Sequence, residues 1–95
     1  MPHFAVICID KPASLPLRQA TRPAHFDYVR GHPGVIRLGG PFLDDRGDMA
    51  GSLMLIEAAD RAAVEAFCAG DPYALAGLFE RVEIRPWKAT LGELP

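Results

Sequence analysis

The sequence predicts an α+β fold in which four strands form one antiparallel sheet and two helices cover one of its faces. Four short segments are apolar or alternate like strands, and two longer segments carry the start and stop signals of helices. They follow one another as strand, helix, strand, strand, helix, strand. Two right-handed crossovers return such an order to a single sheet, the ferredoxin-like βαββαβ arrangement. We expect residues 1–95 to form one domain of this type.

The strands are indicated by apolar runs and by alternation. Phe4–Ile9 is almost wholly apolar, as is typical of a strand buried on both faces. Val35–Leu38 and Met49–Glu57 are separated by a polar turn at residues 44–48, and together they predict a hairpin. Phe79–Pro86 alternates between apolar and charged side chains, which predicts the fourth strand.

The first helix is predicted from Ser14, a suitable N-cap, to about Arg30. Pro23 lies in its interior, where a proline costs about 3 kcal/mol and leaves the carbonyl of Gln19 without its helical partner. A competing start at Thr21 places Pro23 in the first turn and leaves the preceding residues as a loop. We expect the longer helix, kinked or loosened at the proline.

The second helix begins after Asp60 as its N-cap and ends at Gly70. Its apolar face runs through Val64 and Phe67, so this face is expected to pack on the sheet. Asp71 and the proline that follows it open a short helical turn before the last strand.

One face of the sheet is expected to lack helices. The first strand is apolar at both parities, with Ala5 and Ile7 on one side and Val6 and Cys8 on the other. An apolar second face favours a partner. A symmetric dimer packed sheet against sheet would cover it, so we predict a homodimer through the open sheet face.

Composition excludes several functional classes. The net charge is −2, with 10 Lys plus Arg among 95 residues, which is not basic enough for a nucleic-acid binder. No apolar run approaches the ~20 residues that span a membrane, and the first residues lack the basic segment of a signal peptide. Cys8 and Cys68 stand alone, as expected for core residues in a reducing compartment. We therefore expect a cytoplasmic protein that binds neither nucleic acid nor membrane.

The first helix carries the main candidates for chemistry. Arg18, Arg22 and His25 are spaced so that a continuous helix places them in one stripe. Two guanidiniums and an imidazole suit an anionic ligand and a proton shuttle, and the alternative is a solvated helix edge. The predicted core face of the same helix runs through Leu17, Thr21, Ala24 and Tyr28.

Asp71 has two roles open to it. It can cap the helical turn that begins at Pro72, or it can hold one nitrogen of His25 so that the other acts as base or acid. A carboxylate has two oxygens, so the two roles can coexist.

Two glycine segments lie across the predicted hairpin, Gly39-Gly40-Pro41 and Gly51-Ser52. Glycines in strands mark either tight strand geometry or the close approach of a ligand. In the second case Ser52 would donate a hydrogen bond to that ligand. No base stands beside it in the sequence, so we do not assign it as a nucleophile.

No metal or cofactor site is predicted. The three aspartates within residues 44–48 lack the glutamate that a calcium loop needs at its twelfth position. His3 and His32 are not spaced for a metal with His25, and no Cys/His cluster is present. Nothing in the sequence marks a haem ligand or a flavin phosphate loop.

A series of short motifs runs through the chain in a specific order and spacing: Asp10-Lys11-Pro12, Leu17-Arg18, Thr21-Arg22-Pro23-Ala24-His25, Gly39-Gly40-Pro41, Gly51-Ser52, Asp71-Pro72-Tyr73, Ala76-Gly77-Leu78 and Ile84-Arg85-Pro86-Trp87. By these motifs the chain resembles, from Phe4 to Lys88, the YCII-related (YciI-like) family. The resemblance implies a dimeric α+β barrel, related in shape to muconolactone isomerase, with a pocket that holds a histidine–aspartate pair. On this chain the matching residues are His25 and Asp71.

Two functional hypotheses follow. The first is a small cofactor-independent enzyme of the isomerase or dehydrohalogenase type, in which His25 is the general acid/base and Asp71 orients it. Its substrate would be a small anionic or cyclic compound. The residues expected to bind that substrate are Arg22, Arg18, Gly40, Pro41 and Ser52. The alternative is a non-catalytic dimeric module that binds a small acidic ligand in the same pocket.

Overall fold

A computed structural model describes residues 1–94 and confirms the predicted ferredoxin-like fold. The antiparallel sheet has the strand order β2-β3-β1-β4, and its helices pack on one face. A single-turn helix precedes the last strand, where the short helical turn was predicted. The elements are β1 (His3–Asp10), α1 (Leu15–Arg30), β2 (Ile36–Leu43), β3 (Met49–Glu57), α2 (Arg61–Gly70), α3 (Pro72–Leu75) and β4 (Phe79–Trp87).

β2 is longer than the sequence predicted. The interpretation ended this strand at Leu38, whereas it continues through Gly39, Gly40 and Pro41 to Leu43. Glycine and proline weaken a strand signal. However, β2 is an edge strand of the sheet, and a proline is tolerated there because its missing N–H can lie on the side that has no neighbouring strand. The glycine segment is therefore paired with β3, and Pro41 lies opposite Ser52, as expected for two segments that face each other across the hairpin.

α1 runs through Pro23 as one helix, in agreement with the longer of the two predicted starts. Ser14 occupies the N-cap position, but its hydroxyl bonds the carbonyl of Pro12 at 3.3 Å and no helix amide. With 16 residues α1 is the longest helix. Within residues 1–94 no helix has both the length and the apolarity to cross a lipid bilayer.

The face that α1 turns toward the sheet differs from the predicted one. Leu17 and Ala24 are exposed, whereas Arg18 is only 2% exposed. The physical reason is an ion pair. The carboxylate of Asp10, at the end of β1, binds the guanidinium of Arg18 and so draws this side chain toward the sheet. Tyr28, from the predicted core face, does pack against the core.

The core lies between the sheet and the helices. Its buried members are Phe4, Val6, Cys8, Met54, Ile56, Ala58, Val64 and Phe67. Burial raises the pKa of the Cys8 thiol to about 12 and that of Cys68 to about 11. Both thiols are therefore protonated near neutral pH. Cys8 is buried as expected for a core residue, but Cys68 is only partly buried.

The other face of the sheet carries apolar side chains that no helix covers. Leu53 and Leu38 are 39% and 51% exposed, and Ile7 pairs with Leu53 in the neighbouring strand. Glu57, at the end of β3, shares this face with Leu53. Further charged residues of the face lie on β4, at the opposite edge from β2, and are Arg81, Glu83 and Arg85.

Candidate active site

A pocket of about 230 Å³ lies between α1 and the hairpin formed by β2 and β3. It gathers six of the seven residues singled out in the sequence: Arg18, Arg22, His25, Gly40, Pro41 and Ser52. The seventh, Asp71, bonds His25 without itself lining the pocket. Residues that the sequence interpretation assigned no role complete the wall: Phe26, Val29, Ile36, Gly39, Met49, Met54 and Tyr73.

His25 is held in place by Asp71. The imidazole Nδ1 lies 2.9 Å from Oδ1 and 3.1 Å from Oδ2 of the carboxylate. Oδ1 also accepts a hydrogen bond of 2.9 Å from the backbone N–H of Tyr73, so Asp71 caps α3 at the same time. Asp71 therefore makes both of the contacts considered for it, the one with His25 and the one that caps α3. Because the carboxylate engages Nδ1, Nε2 is the ring nitrogen left for a ligand.

Tyr73 also contacts His25, through the stacking of their rings. The two rings stack with centroids 4.3 Å apart and an interplanar angle of 20°. Tyr73 is 2% exposed, and the guanidinium of Arg18 lies 4.6 Å from its ring centroid. Burial raises the pKa of the Tyr73 hydroxyl, which is therefore neutral. In the sequence Tyr73 was a family mark without a role, because a ring stack between distant residues leaves no local signal.

Arg18, which lines the pocket, forms a buried ion pair with Asp10. Arg18 Nε donates to Asp10 Oδ2 at 2.7 Å, and Nη2 donates to Oδ1 at 2.9 Å. Nη2 also donates to the hydroxyl of Ser52 at 2.9 Å. Arg18 was expected to hold an anionic oxygen of the substrate, but Asp10 already balances its charge. Sequence reasoning missed Asp10, which had been placed just past the end of the first strand.

Two arginines line the pocket, and Arg22 is the one that has no carboxylate partner among residues 1–94. The ion pairs of residues 1–94 do not include it. Arg22 is exposed and lies 5.0 Å from the ring centroid of Phe26, one helical turn further along α1. Its positive charge is therefore available to an anion that enters the pocket.

Two glycines of the hairpin, Gly51 and Gly40, differ in how closely other atoms approach them. A Cβ atom on Gly51 would lie 2.3 Å from the carbonyl oxygen of Cys8, so this glycine allows the close approach of β1 and β3. A Cβ atom on Gly40 would meet nothing within 4 Å, and Gly40 lines the pocket.

The described residues contain no group of three or more His, Cys, Asp or Glu side chains placed to hold a metal ion.

The chain matches known proteins over nearly its whole length. The family model of the YCII-related domain covers residues 2–88. Protein YciI of Escherichia coli O6:H1 is 30% identical over an alignment of 93 positions that covers 90% of this chain and 95% of that protein.

Solved structures are also similar to this chain over nearly its whole length. The 5-chloro-2-hydroxyhydroquinone dehydrochlorinase TftG from Burkholderia phenoliruptrix AC1100, in complex with 2,5-dihydroxybenzoquinone, is similar with a TM-score of 0.85 and 33% identity, covering 93% of this chain and 95% of that one. An antibiotic biosynthesis monooxygenase shares the fold at a TM-score of 0.59 and 16% identity, covering 96% of this chain and 100% of that one. From the domain match and the identity to its relatives, the chain belongs to the YCII-related family.

Proposed function

We propose that the protein is a small cofactor-independent enzyme that transfers a proton on a small anionic or cyclic compound. His25 is its general acid/base, and Asp71 orients the imidazole. The observation that carries the proposal is the contact of His25 Nδ1 with both oxygens of a carboxylate that is 2% exposed, at the wall of a pocket. A buried carboxylate in this position favours one tautomer and leaves the other nitrogen as the base.

The surrounding residues support proton transfer at this nitrogen. With Asp71 accepting the Nδ1 proton, Nε2 carries a lone pair that can take a proton from a bound compound. The imidazolium that results is stabilised by the adjacent carboxylate. Negative charge then develops on the compound, and the unpaired guanidinium of Arg22 stabilises an oxyanion there. Apolar side chains such as Val29 and Met54 limit the access of water.

The similarity to a dehydrochlorinase supports elimination as the reaction class. In such a step the base removes a hydroxyl proton, the electron pair moves into the ring, and the chlorine-bearing carbon takes up a proton. Loss of a second hydroxyl proton then forms the carbonyls of the quinone and expels chloride, so the net loss is one equivalent of HCl and no oxidant or reductant is consumed. An isomerisation uses the same proton transfer and returns the proton to another atom.

A turnover assay tests this proposal against the alternative of a binding module. Purified protein is incubated anaerobically with chlorinated hydroquinones, including 5-chloro-2-hydroxyhydroquinone, and released chloride is measured with an ion-selective electrode. We expect chloride well beyond one equivalent per chain. A binding module instead raises the melting temperature in proportion to ligand and returns the ligand unchanged. Stabilisation by the compounds without any release of chloride, for every compound of the panel, would contradict the proposed enzymatic function.

We also propose that the protein is a homodimer through the open sheet face. Leu38 and Leu53 are exposed on this face, and no helix of residues 1–94 covers them. Light scattering after gel filtration is expected to give twice the chain mass of 10.3 kDa. Leu53→Asp should shift the protein to the monomer, whereas Leu75→Asp, at a leucine that is 74% exposed on α3, should not. A wild-type monomer at micromolar concentration contradicts the proposal.

A further inference from the structure

Tyr73 contacts both members of the histidine–aspartate pair. Its backbone N–H donates to Asp71 Oδ1 at 2.9 Å. Its ring stacks on the imidazole of His25, with the centroids 4.3 Å apart and the planes inclined by 20°. Asp71 is the N-cap of α3 and Tyr73 is the second residue of that helix, so both contacts come from one turn of the chain. One residue therefore touches the carboxylate and the imidazole at the same time.

The contact with Asp71 does not by itself fix the plane of the imidazole. A hydrogen bond at Nδ1 sets the position of that atom and the direction of its N–H. The ring can still turn about this direction when its two side-chain torsions change, and Nε2, which lies off that line, moves with it. A stacked neighbour opposes this rotation, because the rotation separates the two ring faces. The stack between His25 and Tyr73 therefore determines where Nε2 lies in the pocket.

The ring of Tyr73 is itself held on several sides. Tyr73 is 2% exposed. The guanidinium of Arg18, on α1, lies 4.6 Å from its ring centroid. The ring of Phe79, the first residue of β4, meets it edge-on at 6.0 Å and 68°. Because a close-packed side chain stays in one rotamer, the ring offers the imidazole a fixed surface.

We infer that Tyr73 is a positioning residue, which fixes the plane of His25 and so directs Nε2 at the bound compound. A catalytic group has to be held close to its productive geometry, and a displacement of about 1 Å costs up to about 10²-fold in rate. The loss falls on kcat more than on KM, because the other side chains of the pocket stay in place. The effect on turnover rests on the proposed function, whereas the orientation of the ring rests on the contacts of Tyr73 alone.

Three variants test the effect on turnover. Tyr73→Leu removes the ring and keeps the backbone N–H for Asp71, so we expect kcat to fall by about 10- to 100-fold with KM within about 3-fold. Tyr73→Phe retains the ring and should keep kcat within about 3-fold of the wild type. Phe67→Leu is the matched control. Phe67 is a buried aromatic residue whose ring neighbours are Tyr28 and His32, and its truncation should lower stability without lowering kcat.

NMR gives a readout that needs no substrate. In the wild type we expect nuclear Overhauser contacts between the ring protons of His25 and Tyr73, and an upfield ring-current shift of the imidazole protons. Tyr73→Leu should lose this shift, whereas Tyr73→Phe and Phe67→Leu should keep it. Circular dichroism and the urea midpoint show whether each variant is folded. The contacts in the wild type decide the matter even when Tyr73→Leu does not fold.

Each of four results would overturn the positioning role. They are the absence of ring contacts in the wild type, unchanged imidazole shifts in folded Tyr73→Leu, kcat of that variant within about 3-fold of the wild type, and an equal loss of kcat in Phe67→Leu. Failure of the proposed function is a different observation. If His25→Gln keeps full turnover, or if no compound is turned over, the assignment of the base is wrong, and the NMR readout still decides whether Tyr73 orients the ring.

Discussion

Replacing His25 with glutamine is expected to lower kcat by about 10²- to 10⁴-fold, the usual contribution of a general acid/base. KM should change much less, because the glutamine leaves Arg22 and the apolar wall in place. The measurement is the turnover of a compound from the chlorinated hydroquinone panel. His32→Gln is the matched control, since His32 is an exposed histidine whose Nδ1 bonds the carbonyl of Tyr28 outside the pocket. Full turnover by His25→Gln would contradict the assignment.

Two substitutions at Asp71 separate its two contacts. Asp71→Asn keeps an oxygen for the amide of Tyr73 but presents an NH₂ group to His25, which favours the other imidazole tautomer. We expect kcat to fall by about 10²-fold or more with little loss of stability. Asp71→Ala removes both contacts and should lower activity and stability together.

A readout without substrate accompanies the Asp71 series. Nitrogen-15 spectra distinguish Nδ1–H from Nε2–H imidazole. The wild type is expected to show the Nδ1–H form for His25, and Asp71→Asn should shift the population toward Nε2–H. An unchanged tautomer in Asp71→Asn would mean that the carboxylate caps α3 without orienting the ring.

Removing Arg18 alone is expected to lower the free energy of unfolding by about 3–5 kcal/mol, the cost of leaving one member of a buried ion pair uncompensated. In Arg18→Met the carboxylate of Asp10 keeps its burial and loses both hydrogen bonds from the guanidinium. Urea denaturation followed by circular dichroism gives the value.

Two further variants decide whether the ion pair is the cause. The double variant Asp10→Asn/Arg18→Met should recover part of the loss, since it no longer buries an unpaired charge. Arg30→Met removes an exposed arginine that pairs with Asp27 on the same helix, and it should leave stability unchanged within error. A loss at Arg18 no greater than that at Arg30 would contradict the prediction.

Local signals were sufficient for most of the fold. The apolar runs of β1 and β3 and the Asp60 cap of α2, whose side chain accepts from the amide of Ala63, lie within a few residues of the structure they specify. The error in β2 has a local cause as well. Gly39 and Gly40 weaken the strand signal after Leu38, and the pairing with β3 is what extends the strand through them.

The sequence by itself determined the order of the elements and the residues worth testing. The pairing of His25 with Asp71 came from family resemblance, because residues 46 positions apart meet only through the packing of α1 against α3. Tertiary structure alone decided that Arg18 turns inward to Asp10 and that Arg22 finds no carboxylate partner among residues 1–94. Both arginines have the same periodicity on one helix, and periodicity states which side chains share a face but not what that face meets.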